Sequence, residues 1–105
     1  MQYSFVYITA SDLAEAENIG QVLVREKLAA CVNIFQGMKS IYMWQGKLEE
    51  SREAVLLAKT REDLREKLLA RVKDVHSYEC PCVVFIPVAG GNPEFLEWIG
   101  LQTTS

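Results

Sequence analysis

The chain has 105 residues, half of them hydrophobic, with a net charge of −3 and a sequence pI near 5.1. That length suits one domain, residues 1–105, with its own core, and the absence of any Lys/Arg run excludes a basic nucleic-acid surface. No apolar stretch approaches the roughly 20 residues that cross a bilayer, so neither nucleic acid nor membrane is expected as a partner.

The N-terminus, MQYSFVYITASD, has neither the basic flank nor the long apolar segment of a signal peptide. Three cysteines, an odd number, make no self-contained disulfide framework. A reduced compartment, the cytoplasm, is the expected location.

Tyr3–Ala10, rich in aromatic and β-branched residues, reads as a buried strand. Ser11 and Asp12, with Glu15 shortly after, form a capping-box pattern. Leu13, Ala16, Ile19, Gly20 and Leu23 then recur at helical spacing, predicting a helix to about Leu28. Gly20 on its apolar side suggests close packing on a sheet. Cys31–Phe35 opens a second strand, which continues beyond Gln36-Gly37 through Met38–Trp44. Gln45-Gly46 makes a tight turn, the glycine supplying a positive φ.

In the returning strand, Leu48, Glu50, Arg52, Ala54, Leu56 and Ala58 share one face, and Val55, Leu57 and Lys59 the other. Its second half is apolar on both faces and should be central; its first half is polar and should project outward. The two arms run far beyond a typical strand of about 5–6 residues. Ile41-Tyr42-Met43-Trp44 near the tip has no cover within one small chain, which predicts a homo-oligomer.

Thr60–Asp63 is a second capping pattern. Leu64, Leu68, Val72 and Val75 form the stripe of a helix ending near His76. Cys82–Val88 reads as another buried strand, with Pro87 at its end or on an edge. Asn92 is the expected N-cap and Pro93 the first residue of a short terminal helix that packs back on the body, followed by a frayed QTTS. The order βα-ββ-αβ-α specifies an α+β, ferredoxin-like split β-α-β sandwich with both main helices on one sheet face.

Five blocks in register, EKLAACVNI, SIYMWQGKLEES, LLAKT, HSYECP and FLEWI, resemble the CutA family of divalent-cation tolerance proteins over nearly the whole chain. The resemblance implies a homotrimer with interlocked hairpins, a link to copper and heavy-metal tolerance, and no enzymatic activity. Family members described as binding copper use a first-strand cysteine and adjacent histidines after the second main helix. Here Ile8 takes the cysteine position and Val75 precedes the single His76, so only His76 carries over. The family block His-Pro-Tyr-x-x-Pro-Glu reads His76-Ser77-Tyr78-Glu79-Cys80-Pro81-Cys82.

His76, Cys80 and Cys82 are therefore the candidate metal ligands, for copper or another divalent cation. Cys80 and Cys82 alternate across Pro81 and would point to one side of an extended segment. Against this, three ligands fall short of a structural zinc set. Cys82 would otherwise be a small buried hydrophobe opening a strand, and His76 a complement to the helix dipole. Cys31 is expected in the core.

No catalytic residue is expected: an orienting partner for a Cys/His pair is missing, and AGGNP lacks a phosphate-loop lysine. The alternative reading comes from trimeric ferredoxin-like proteins that resemble PII signalling proteins, with clefts between subunits that bind small effectors. Trp44, Lys59, Tyr78 and Glu79 are its candidate lining residues, with ordinary interface packing as the competing role. A non-catalytic scaffold is the third reading.

Overall fold

The computed structural model describes residues 1–104. Four strands, β1 (Tyr3–Ala10), β2 (Cys31–Trp44), β3 (Lys47–Arg61) and β4 (Val83–Pro87), form one antiparallel sheet in the order β2-β3-β1-β4. Helix α1 (Leu13–Arg25) links β1 to β2, and α2 (Arg65–Val75) links β3 to β4. Each helix thus bridges two strands that have a third between them, which is the split β-α-β arrangement. Helix α3 (Pro93–Gln102) ends the chain, with Asn92 Oδ1 accepting the Glu94 N–H and Pro93 in the first turn.

The core follows from strand parity. Val6, Ile8 and Ala10 of β1 and Ala54, Leu56 and Ala58 of β3 point to one face, where Ala16, Ile19 and Leu23 of α1 and Leu68 and Val72 of α2 cover them. All eleven side chains are sealed from solvent. A Cβ on Gly20 would sit 3.4 Å from Val32 Cγ1, so this glycine lets α1 settle against β2 as its place on the apolar stripe suggests.

Several local features differ from the sequence reading. Helix α1 stops at Arg25, not Leu28, because Lys27 takes a left-handed conformation (φ 59°). The Leu28 N–H donates to the Leu23 carbonyl and the Lys27 N–H to that of Val24, the paired bonds of a Schellman stop. Thr60 caps no helix. It remains in β3, fully buried, and its hydroxyl donates to the Leu28 carbonyl at 2.6 Å. The β1–β3 ladder runs on to Tyr3–Arg61 and holds it there, so α2 is entered through a single 3₁₀ turn, Glu62–Leu64.

Strand β4 is shorter than Cys82–Val88 and lies at the sheet edge, leaving Val84 and Ile86 about half exposed. Gln102 belongs to α3, and the buried Thr103 closes it by donating to the Ile99 carbonyl. Ser105, the last residue of the expected frayed end, lies outside the described residues.

The hairpin β2–β3 is the longest feature, and its centre decides the geometry of the site. Phe35 pairs with Val55 and Met38 with Glu53, leaving Gln36 and Gly37 opposite the single residue Ala54. Gly37 absorbs this β-bulge at φ 75°. One inserted residue reverses the parity of β2. Before the bulge, the odd-numbered Cys31, Asn33 and Phe35 occupy the face away from α1 and α2; after it, the even-numbered Met38, Ser40, Tyr42 and Trp44 do.

Candidate functional site

The segment His76–Cys82 connects α2 to β4, and its first half is pinned by hydrogen bonds. The His76 side chain is fully enclosed. Its Nε2–H donates to the Thr9 carbonyl at 2.7 Å, and its Nδ1 accepts the Tyr78 N–H at 3.0 Å. The second bond places the imidazole proton on Nε2. The Tyr78 ring lies 4.7 Å from that of His76, and its hydroxyl donates to Glu53 Oε2 at 2.7 Å. Burial first, and then the Glu53 carboxylate that accepts this bond, push the Tyr78 phenol well above the ordinary tyrosine range.

Glu15 ties the same segment to the start of α1. Its Oε1 accepts from the Ser11 N–H and hydroxyl at 2.9 and 2.8 Å, and its Oε2 accepts the Ser77 N–H at 2.7 Å. Asp12 Oδ1 in turn accepts the Glu15 N–H at 2.8 Å. The capping box legible in the sequence is thus shared between Ser11 and Asp12, and it also holds the loop. Burial pushes the Glu15 carboxyl up, but the bonds from Ser11 and Ser77 outweigh it and hold the group at about 2.

The second half of the segment turns outward. Glu79, Cys80 and Cys82 are exposed, while the Thr9 N–H donates to the Cys82 carbonyl at 3.3 Å and keeps that backbone on the sheet. Opposite stands the hairpin. Between them runs an open groove of about 920 Å³. Tyr7 and Thr9 of β1 line its base, Met38, Ser40, Tyr42 and Trp44 of β2 one side, and Tyr78, Glu79, Cys80 and Cys82 the other. Glu49 and Glu53 of β3 complete it, and both are half-buried.

The expected residues divide accordingly. Trp44, Tyr78 and Glu79 meet on the groove. Lys59 does not: it is buried beyond the hairpin root, where its ammonium donates to Asn33 Oδ1 and lies 5.7 Å from the centre of the Phe5 ring. Its place in the β3 register, opposite Phe5 and Cys31, puts it at the other end of the sheet from the Glu49–Glu53 stretch. Cys80 and Cys82 reach the groove together, as alternation across Pro81 suggests, and Cys82 is exposed rather than a buried hydrophobe. Cys31 is partly buried on the edge strand β2.

His76 stands apart from the two thiols in role, since both its nitrogens already serve backbone partners. Among the described residues, no group of three or more His, Cys, Asp or Glu side chains is placed to hold a metal ion. A ligand set of His76, Cys80 and Cys82 therefore does not fit this geometry; the thiol pair alone is open to an ion.

Sequence reasoning missed Tyr7, Met38, Ser40, Tyr42, Glu49 and Glu53 as groove residues. For the β2 residues, the available signal was Gly37 inside an otherwise continuous strand, which marks a bulge and hence the parity change that gathers them.

Comparison with known proteins fits this architecture. Residues 4–102 match the family model described as CutA1 divalent ion tolerance protein. The divalent-cation tolerance protein CutA of Thermus thermophilus is 47% identical over 93% of this chain and 95% of its own, and that of Archaeoglobus fulgidus 46% identical over 92% and 94%. Among solved structures, the periplasmic divalent cation tolerance protein CutA of Archaeoglobus fulgidus superposes with a TM-score of 0.95 at 44% identity, covering 97% of this chain and 99% of that one. CutA1 of Oryza sativa superposes with a TM-score of 0.97 at 38% identity, covering 99% and 95%. The chain belongs to the CutA1 divalent ion tolerance family.

Proposed function

We propose that the protein serves divalent-cation tolerance as a homotrimer, and that it takes thiophilic cations, copper first, through Cys80 and Cys82. The observation that carries the ion-binding reading is the placement of two free, exposed thiols, two residues apart, on the rim of one groove. Thiolates suit Cu(I), which accepts low coordination numbers. The relatives named for divalent-cation tolerance supply the cellular role.

Reduced protein should compete with a chelator for Cu(I) under anaerobic conditions, and the Cys80→Ser/Cys82→Ser variant should not. Equal retention by parent and variant would remove the thiols from the reading.

The trimer is supported by what one chain leaves uncovered. Ile41, Met43, Trp44 and Leu48 at the hairpin end are each more than 60% exposed, and β2 and β4 present two open sheet edges. Sedimentation equilibrium should return three times the chain mass of 11.9 kDa; a monomer at micromolar concentration contradicts the reading.

We read the protein as non-catalytic, because its one histidine is buried with both nitrogens engaged. A turnover abolished by His76→Gln in a folded variant would overturn that. The exposed pair Cys80 and Cys82 suits a reducing compartment such as the cytoplasm. Recovery of the chain from an oxidising fraction with those cysteines paired would overturn this placement; rice and Archaeoglobus relatives are themselves named chloroplastic and periplasmic.

A further inference from the structure

The sheet face turned away from α1 and α2 holds a buried cation without a counter-ion. Lys59 is only 8% exposed, and among the described residues it takes part in no ion pair. Its ammonium donates to Asn33 Oδ1 and lies 5.7 Å from the centre of the Phe5 ring. An amide oxygen and a ring face offer partial charges where the ammonium carries a whole one. Lysine is rarely buried unless an anion pairs with it, because the hydration it loses must be replaced. The site as one chain builds it lacks an anion.

The same face is apolar and uncovered around it. Phe35, Val84 and Ile86 are each about half exposed, and strand pairing puts all three on the side of Lys59. Surface of this kind marks where a protein packs, and the chain itself carries the complementary charge. Glu49 and Glu53 lie on this face at the other end of β3, also without an ion pair among the described residues. Glu53 already accepts hydrogen bonds from Tyr78 Oη and Ser51 Oγ. Glu49 is half-buried and stands beside the hairpin tip, the part of the chain furthest from its own core. Within one chain it cannot meet Lys59: the two are ten residues apart along β3, roughly 33 Å in an extended strand.

We propose that Lys59 of each chain is paired by Glu49 of a second copy. This rests on the trimer reading above and adds to it the residue that each copy gives to its neighbour. Because ammonium and carboxylate sit at opposite ends of the hairpin, the contact is head-to-tail, the tip of one chain against the hairpin root of the next. Contacts of that kind close into rings where the rotation allows. In a ring of three, every chain gives one carboxylate and receives one, so no Lys59 is left unpaired. A pair desolvated by apolar surface also fixes register, since a copy docked out of step would bury both charges alone.

The experiment is a double-mutant cycle on the full chain, read by sedimentation over a concentration series, in enough urea to bring the parent's monomer–trimer midpoint into range. Lys59→Met and Glu49→Gln keep the size of each side chain and remove its charge. Each alone should move the midpoint to at least about tenfold higher concentration, because the remaining charge is buried without its partner. Lys59→Met/Glu49→Gln should assemble no more weakly than the weaker of the two single variants. Sites this far apart in one chain otherwise add, so a shortfall from additivity passes through a second copy.

Additive costs in a chain that still sediments as a trimer overturn the ion pair and leave the trimer standing. So does a Glu49→Gln variant with the parent's midpoint, which would hand Lys59 to another anion. A parent that is monomeric at micromolar concentration without urea overturns the trimer, and the ion pair with it.

Discussion

The two halves of the β2–β3 hairpin are built from one continuous pair of strands, yet they answer to different environments. From Val55 to Lys59, β3 lies between β2 and β1, and Leu56 is completely buried under the helices. From Lys47 to Glu53, the same strand has only β2 beside it, and Leu48 is 69% exposed. Backbone pairing alone therefore does not account for the length of the hairpin. The root is held by the chain's own core. The tip carries apolar surface that this core cannot reach, and that surface is what a second copy would bury.

Substitution separates the halves most sharply. Leu56→Ala should cost about 2–5 kcal/mol in urea unfolding, through lost transfer energy and a cavity in a sealed core. Leu48→Ala should change the stability of a single chain by less than about 0.5 kcal/mol, while lowering the mass seen by sedimentation at dilute concentration. Unfolding midpoints should rise with protein concentration in the parent and rise less steeply below the parent in Leu48→Ala. Equal costs for the two leucines at every concentration would erase the distinction between root and tip.

The His76–Cys82 segment repeats the contrast on a smaller scale: a fastened first half and an exposed second half. Glu15 is the main fastening. Glu15→Gln should lose on the order of 1–2 kcal/mol at neutral pH, because an ionised acceptor of several hydrogen bonds becomes neutral. The pH dependence carries a definite sign. The folded carboxyl titrates at about 2 against an ordinary value of 4.5, so its stabilisation is complete above about 4.5 and disappears as pH falls toward 2. Urea midpoints measured from pH 6 downward should fall through that window in the parent, with a shallower fall in Glu15→Gln. Parallel curves would place the acid sensitivity elsewhere. Tyr78→Phe removes only the bond to Glu53 and should cost about 1 kcal/mol, with Cu(I) retention by the two thiols unchanged.

The parts of this molecule legible in its sequence are those fixed by short-range chemistry or by a strong period. The Ser11-Asp12-Glu15 cap, the Asn92-Pro93 helix start and the central position of Ala54–Ala58 are of this kind. What escaped depends on register and long-range contact. The bulge at Gln36-Gly37 changes which residues of β2 look onto the groove, and alternation counted through it assigns the wrong face. Lys59 has the charge of a ligand-binding residue, but strand register places it beside Asn33 and Phe5. The neighbours that decide its role are 26 residues or more away in sequence, so local pattern carries no trace of them. Thr60 resembles a cap by composition, and only the extension of the β1–β3 ladder to Arg61 shows why it is not one.

The end of α1 offers the only expected gain. A left-handed residue at this position is usually glycine, which signals a helix stop in sequence. Here it is Lys27, at φ 59°, and the signal is absent although the hydrogen bonds of the stop are all made. The side chain is exposed, so replacing it removes no buried contact. Lys27→Gly relieves the clash of Cβ with the following carbonyl, worth about 1–2 kcal/mol, but gives back part of it through the freer unfolded chain. A net stabilisation of roughly 0.5–1 kcal/mol should appear as a higher urea midpoint with the same slope. Lys27→Ala keeps the Cβ and should not reproduce the gain. If alanine stabilises as much as glycine, the strain does not lie in the backbone at Lys27, and the helix end is set by the contact of Leu28 with the core instead.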